Sequence, residues 1–230
     1  MEKRKLIINI VLNTFRFSED RLKKDWIDDR IEKFMKFTLQ SLKIQTNQDF
    51  MAYVLYDPLS EEYVKQSLER YEKLPDHIQF IKPTENQTPN LIQGYDTLFL
   101  IRMDSDDAYH KSYIQQLHDY QPGESSEVII NQNGYLYDSI NNRLLKIFYE
   151  SPQYYTFIYK VPEYLAGKRY ALSGGHAGAI QLKHEIISEL NFLNIIHSSN
   201  VLKTPKHLGY KNIISDPDEV DSIIKEYLGE

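Results

Sequence analysis

Residues 101 to 107 read Ile101-Arg102-Met103-Asp104-Ser105-Asp106-Asp107, placing three carboxylates within four residues just behind an arginine. Carboxylates this close repel one another unless a cation offsets them. A hard divalent ion is satisfied by oxygen donors and keeps waters and substrate phosphate oxygens in the rest of its shell. The Asp-x-Asp spacing lets two side chains meet one ion as the chain turns off a strand. By itself, an acidic triplet is more often a solvated loop or a helix cap than a metal site. Two features favour a metal here. The apolar run Leu98-Phe99-Leu100-Ile101 fixes the cluster at a strand end, and Arg102 sets a cation within two residues of it. Counted from Asp104, the sixth and twelfth positions are Tyr109 and Gln115, not the Gly and Glu of a calcium loop. No Gly-x-x-x-x-Gly-Lys phosphate loop occurs.

The elements around this cluster follow from hydrophobic spacing. Lys5 to Asn13 is a short β-branched apolar run and reads as a buried strand. From Arg21 to Gln45, the positions Ile27, Ile31, Phe34, Thr38 and Leu42 recur at three and four, which makes one face of a long helix. Phe50 to Tyr56 is a second strand, closed by Asp57-Pro58. Glu61 to Lys73 is a helix with Ser60 as its cap. Ile78 to Ile81 and Thr97 to Met103 complete four strands. Strands alternating with helices predict an α/β fold with a mainly parallel central sheet flanked by helices. In the second half, Glu127 to Asn131, Gly134 to Asp138 and Leu144 to Tyr149 read as antiparallel strands, the first two joined through Gln132-Asn133. His184 to Leu190 reads as a short helix and Pro217 to Leu228 as a terminal one.

The chain has 230 residues, enough for one substantial α/β domain, and no composition break marks a linker. A net charge of −6 argues against a nucleic-acid backbone as partner. No cysteine is present, which excludes disulfides and thiolate metal sites. No stretch approaches the ~20 apolar residues of a spanning helix. Asn9 and Asn13 interrupt the apolar run that a signal peptide would need. The expectation is a cytoplasmic protein. Tyrosine is abundant, at 18 residues. Such rings could stack on sugar faces, or simply reflect the drift of a chain rich in Ile, Lys and Asn.

Strand, helix, strand ending in Asp, then strand ending in Asp-x-Asp is the order of GT-A (Rossmann-like) glycosyltransferases. The chain also resembles the bacterial rhamnosyltransferase family. The resemblance rests on Leu12-Asn13-Thr14-Phe15-Arg16-Phe17, on Trp26, Arg30 and Phe34, and on the run from Phe37 to Phe50. Val54-Leu55-Tyr56-Asp57, the 101–107 segment and Ile195-Ile196-His197-Ser198-Ser199-Asn200 extend it. It implies a single GT-A domain over residues 1–230, with a nucleotide-sugar-binding half (1–107) and a smaller, antiparallel acceptor-side half (108–230). It implies metal-dependent, inverting transfer of a sugar from a nucleotide-sugar donor to a hydroxyl acceptor such as a glycan, with Mn2+ or Mg2+ as cofactor.

The resemblance also implies roles. Asp104 and Asp106 would face the metal and the ribose or diphosphate. Asp57 would accept from the nucleotide base, Thr14 and Arg16 would flank the nucleotide, and Arg102 would fix aspartates or phosphates. His197 would be a third metal ligand, with His176, in the glycine-rich Ser173 to Gly178 loop, as the alternative. An inverting reaction needs a carboxylate to take the acceptor's proton. Asp138, Glu185 and Asp107 are the candidates, and the sequence does not choose among them. Two other readings remain open. A nucleotidyltransferase shares such a sheet, although Asn13-Thr14-Phe15-Arg16 lacks the glycines of its phosphate loop. A non-catalytic nucleotide-sugar or carbohydrate-binding module would explain the missing base signature.

Overall fold

The computed structural model describes residues 2–13, 19–197 and 213–229. Four parallel strands form the first half of the sheet: β1 (Arg4–Asn13), β2 (Met51–Tyr56), β3 (Ile78–Ile81) and β4 (Thr97–Asp104), in the order β3-β2-β1-β4. Their side chains are buried on both faces; Leu6, Ile7, Ile8 and Ile10 of β1 are all fully inaccessible. That double burial explains why these strands read as continuous apolar runs without alternation.

One helical rod covers this half. It comprises α1 (Lys24–Lys33), a π-helical turn (Phe34–Thr38) and α2 (Leu39–Lys43). Ile27, Ile31, Phe34 and Leu42 all join the main core, as their spacing predicts. The π-helical turn was not legible in that spacing; such insertions shift the phase of a helix and are frequent at functional sites. α3 (Glu61–Leu68) and a single turn, α4 (Thr88–Leu91), connect the following strands.

The same sheet continues antiparallel. β5 (Ala108–Tyr109) leads to α5 (Tyr113–Asp119), and then come β6 (Val128–Asp138), β7 (Arg143–Phe148) and β8 (Tyr155–Lys160). β8 pairs with β4 and β6, joining the two halves. A short α6 (Val161–Leu165) follows. β9 (His184–Ile196) runs parallel to β6 and pairs with β5, β10 (Ile213–Ile214) adds to β7, and α7 (Pro217–Leu228) closes the chain.

Two expectations are corrected here. Gln132-Asn133 is no turn: β6 runs straight through it, with register shifts against β9 on either side of Asn133. The segment from His184 to Leu190 is strand, not helix. Ile186, Ile187 and Leu190 have helical spacing, but pairing along the whole of β6 decides the outcome, because strand preference depends on neighbours more than on local sequence. The contact is close: a Cβ at Gly134 would lie 2.4 Å from the Phe192 carbonyl oxygen. The tyrosines are largely packing residues, with Tyr53, Tyr113, Tyr154, Tyr159 and Tyr227 among the largest fully buried side chains.

Candidate active site

Because β1, β2 and β4 are parallel, their carboxyl ends share one edge of the sheet, where ligands of open α/β sheets bind. Asn13, Asp57 and Asp104 stand there. Asn13 Oδ1 accepts from the Asp57 backbone N–H at 2.9 Å, and Asn13 Nδ2 donates to Ser60 Oγ at 3.0 Å. The Asp57 carboxylate accepts from Leu59 N–H at 3.0 Å and from Arg21 Nη2 at 3.1 Å, with its side chain only 1 % exposed. It caps the 3-10 turn Pro58–Ser60 and holds Arg21, a cation that the sequence reading did not single out. Thr14 and Arg16, expected beside the nucleotide, lie outside the described residues, as do Ser198, Ser199 and Asn200.

The three clustered aspartates face three different environments. Asp104 is gripped by Arg102, with Nη2 at 2.5 Å from Oδ1 and Nη1 at 3.2 Å from Oδ2, while Arg102 Nη1 also donates to the Gln153 carbonyl at 3.0 Å. Burial alone would lower the guanidinium pKa; the adjacent Asp104 charge outweighs it and raises the value. The expected tie between Arg102 and the aspartates is therefore present. Asp106 turns toward the helical rod. Its Oδ2 accepts from Arg30 Nη1 at 2.7 Å and lies 3.2 Å from His197 Nε2. The Trp26 ring sits under the Arg30 guanidinium, 5.0 Å from centroid to Cζ, and Phe37 stacks beside His197.

Asp107 points inward. It is 2 % exposed and accepts from Tyr154 Oη at 2.6 Å, from Asn194 Nδ2 at 2.8 and 3.0 Å, and from the Ile195 N–H at 3.0 Å. It thereby anchors β9, and with it the position of His197. The rod also holds the backbone of the acidic turn. Thr38 Oγ1 donates to the Asp107 carbonyl at 2.8 Å, and Ser41 Oγ both donates to the Tyr109 carbonyl and accepts its N–H at 2.9 Å. The buried polar positions Thr38, Ser41 and Gln45 on an otherwise apolar face were the available signal for this clamp.

The structure places each of the three base candidates in a hydrogen-bond network. All three carry structural hydrogen bonds. Asp107 is the buried anchor just described. Asp138, 1 % exposed, closes the β6–β7 turn by accepting from Asn141 Nδ2 and Arg143 Nε, both at 2.8 Å. Burial pushes its pKa up, but these donors win and hold it below the ordinary carboxylate range, which weakens a base. Glu185 stands at the start of β9, about twelve residues and on the order of 40 Å along the strand from His197. It accepts from Tyr120 Oη at 2.5 Å, from the Gly123 N–H at 2.7 Å and from Ser126 Oγ.

His176 is half-buried in the 3-10 segment Gly175–Gln181, with Nδ1 3.4 Å from Tyr155 Oη. It lies beside β8. Among the described residues, no group of three or more His, Asp or Glu is disposed to hold a metal. Of the expected trio, Asp106 and His197 lie within 3.2 Å of each other, while Asp104 is ion-paired with Arg102 and Asp106 with Arg30. Asp106 and His197 suit a divalent cation. A carboxylate oxygen and an imidazole nitrogen are donors that Mn2+ accepts, and an ion bound with a diphosphate needs few protein ligands.

Residues 16–123 match the sequence model of the family described as "Putative rhamnosyl transferase". That span contains Trp26, Arg30 and the whole acidic cluster. Over that span, a little under half of the chain, the sequence is similar to this family. Among solved structures, TarS 1–349 of S. aureus in complex with UDP-GlcNAc is similar at 13 % identity and a TM-score of 0.50, covering 96 % of this chain and 71 % of that one. Another TarS 1–349 structure is 14 % identical with a TM-score of 0.46, covering 83 % of this chain and 60 % of that one. The chain therefore spans about 60 to 70 % of the length of these structures. At such identity the likeness carries the fold alone. No curated protein matches. The family match and the shared fold agree with the expected resemblance to GT-A glycosyltransferases. No described helix is long and apolar enough to cross a membrane.

Proposed function

We propose that the chain transfers a sugar from a nucleotide-sugar donor to a hydroxyl acceptor in a metal-dependent reaction. The observation that carries this reading is the convergence of Asp106 Oδ2 and His197 Nε2 to 3.2 Å at the carboxyl end of the parallel sheet. The family match and the fold shared with a protein solved in complex with UDP-GlcNAc support it.

In this reading Asp106 and His197 hold Mn2+ or Mg2+, which as a Lewis acid stabilises the charge growing on the nucleoside diphosphate. Asp104, with its side chain 30 % exposed against 14 % for Asp106, offers its carboxylate to ribose hydroxyls. Arg102 holds that carboxylate in place. Arg21, held by Asp57, flanks the nucleotide together with Thr14 and Arg16. Inversion and a cytoplasmic setting belong to this reading. The acceptor is a glycan or other hydroxyl-bearing polymer precursor. The proposal covers donor binding and leaving-group stabilisation, since Asp138, Glu185 and Asp107 are engaged by the fold.

That engagement favours a second reading, a nucleotide-sugar-binding module without turnover. One experiment separates the two. The protein is incubated with UDP-, GDP- and dTDP-sugars and Mn2+, and nucleoside diphosphate release is followed. Slow metal-dependent release from one donor supports the transferase. Tight binding of a donor with no release from any supports the module.

A further inference from the structure

Arg30 and His197 meet the same oxygen, Asp106 Oδ2, at 2.7 and 3.2 Å. The pair is well shielded, with the Arg30 and Asp106 side chains 13 % and 14 % exposed and His197 only 4 %. The two partners differ in one chemical respect. Neutral imidazole can donate a lone pair to a cation, whereas a guanidinium is always charged and has none to give. A divalent ion that takes Oδ2 can therefore keep His197 beside it but must displace Arg30.

We propose that Arg30 is the internal counter-ion of this site, holding Asp106 in place before a cation binds and competing with the cation for Oδ2. The inference rests on the metal-dependent reading above. The rod makes the device specific. Arg30 precedes the π-helical turn by one turn, and Thr38 at the end of that turn holds the Asp107 carbonyl, so one helix grips both the backbone and the side chain of the acidic loop. Trp26, beneath the guanidinium, keeps it from collapsing into solvent once it is displaced. The released fork then faces the incoming diphosphate, a planar donor set matched to phosphate oxygens. Cation and nucleotide are thereby coupled: the ion is held weakly alone and well with the diphosphate, because only then does Arg30 gain a new anionic partner.

The test uses Mn2+ as probe, with free ion counted by electron paramagnetic resonance and UDP binding by calorimetry. Arg30→Gln should raise the Mn2+ affinity of the nucleotide-free protein about 10-fold, because a shielded carboxylate has lost its counter-charge. It should lower UDP affinity at saturating Mn2+ by a similar factor, on the order of 10-fold, as a charge-assisted phosphate contact is lost. Arg30→Lys, which keeps the charge, should leave Mn2+ affinity near wild type. A merely structural arginine would shift the melting temperature without tightening Mn2+ binding. Should Arg30→Gln fail to fold, Arg30→Met, which preserves the packing on Trp26, gives the same comparison. Equal or weaker Mn2+ binding in the variant, with wild type still binding Mn2+ and UDP together, overturns this inference alone. No Mn2+ binding by either protein, with or without UDP, removes the metal reading and this inference together.

Discussion

His197 Nε2 and Asp106 Oδ2 lie 3.2 Å apart although 91 residues separate them in the chain. What brings them together is the residue next to Asp106. Asp107 is buried and binds Asn194 and the Ile195 N–H, which fixes the end of β9 against the turn that follows β4. Neighbouring aspartates thus divide the work, one building the site and the other presented in it.

If His197 serves a cation, His197→Ala should weaken UDP binding mainly when Mn2+ is present. Calorimetry with and without Mn2+ reads this directly. Equal weakening in both conditions would mean that the imidazole acts through packing on Phe37 instead.

Tyr154→Phe should destabilise the fold by about 1–3 kcal/mol, because it removes a donor from a buried carboxylate. Burial, and then the Asp107 charge, push the Tyr154 phenol well above its ordinary pKa, so it remains a donor at any working pH. Urea denaturation measures the loss. Coupling with Asn194→Leu in a double-mutant cycle should be non-additive, since both donors serve one carboxylate.

Asp138 supplies a pH signature. Its folded pKa is depressed, so the unfolded chain binds its proton first, and the stabilisation exists above about pH 4 and fades as pH falls through the folded value. Asp138→Asn should therefore cost roughly 1–3 kcal/mol near pH 7. The gap between wild type and variant should narrow between about pH 5 and pH 2. Denaturation at a series of pH values checks both statements, and a gap that widens on acidification would contradict them.

The parallel half was readable because its strands are buried on both faces and its rod carries a clean three-and-four spacing. Ile78 to Ile81 and Pro217 to Leu228 coincide with β3 and α7. The antiparallel half was less legible for a physical reason. β9 has no strong local preference and becomes a strand only by pairing with β6, a partner nearly sixty residues away. β8 went unseen although it joins the halves. In the site, Asp106 and His197 could be named from residue type and position. Arg30 entered only as part of a family resemblance, and Asp107 was offered as a base, because the direction in which each of three adjacent carboxylates points depends on donors from α1, β8 and β9. Spacing within the triplet carries no such information.

The central claim is that Asp106 holds a divalent ion against a nucleoside diphosphate. Calorimetric titration of UDP into wild type and Asp106→Ala, each with and without Mn2+, tests it most directly. Wild type should bind UDP about 10-fold more tightly with Mn2+ than without, a difference of about 1.4 kcal/mol, and Asp106→Ala should lose that increment while melting as a folded protein. Equal Mn2+-dependent tightening in both proteins would contradict the account.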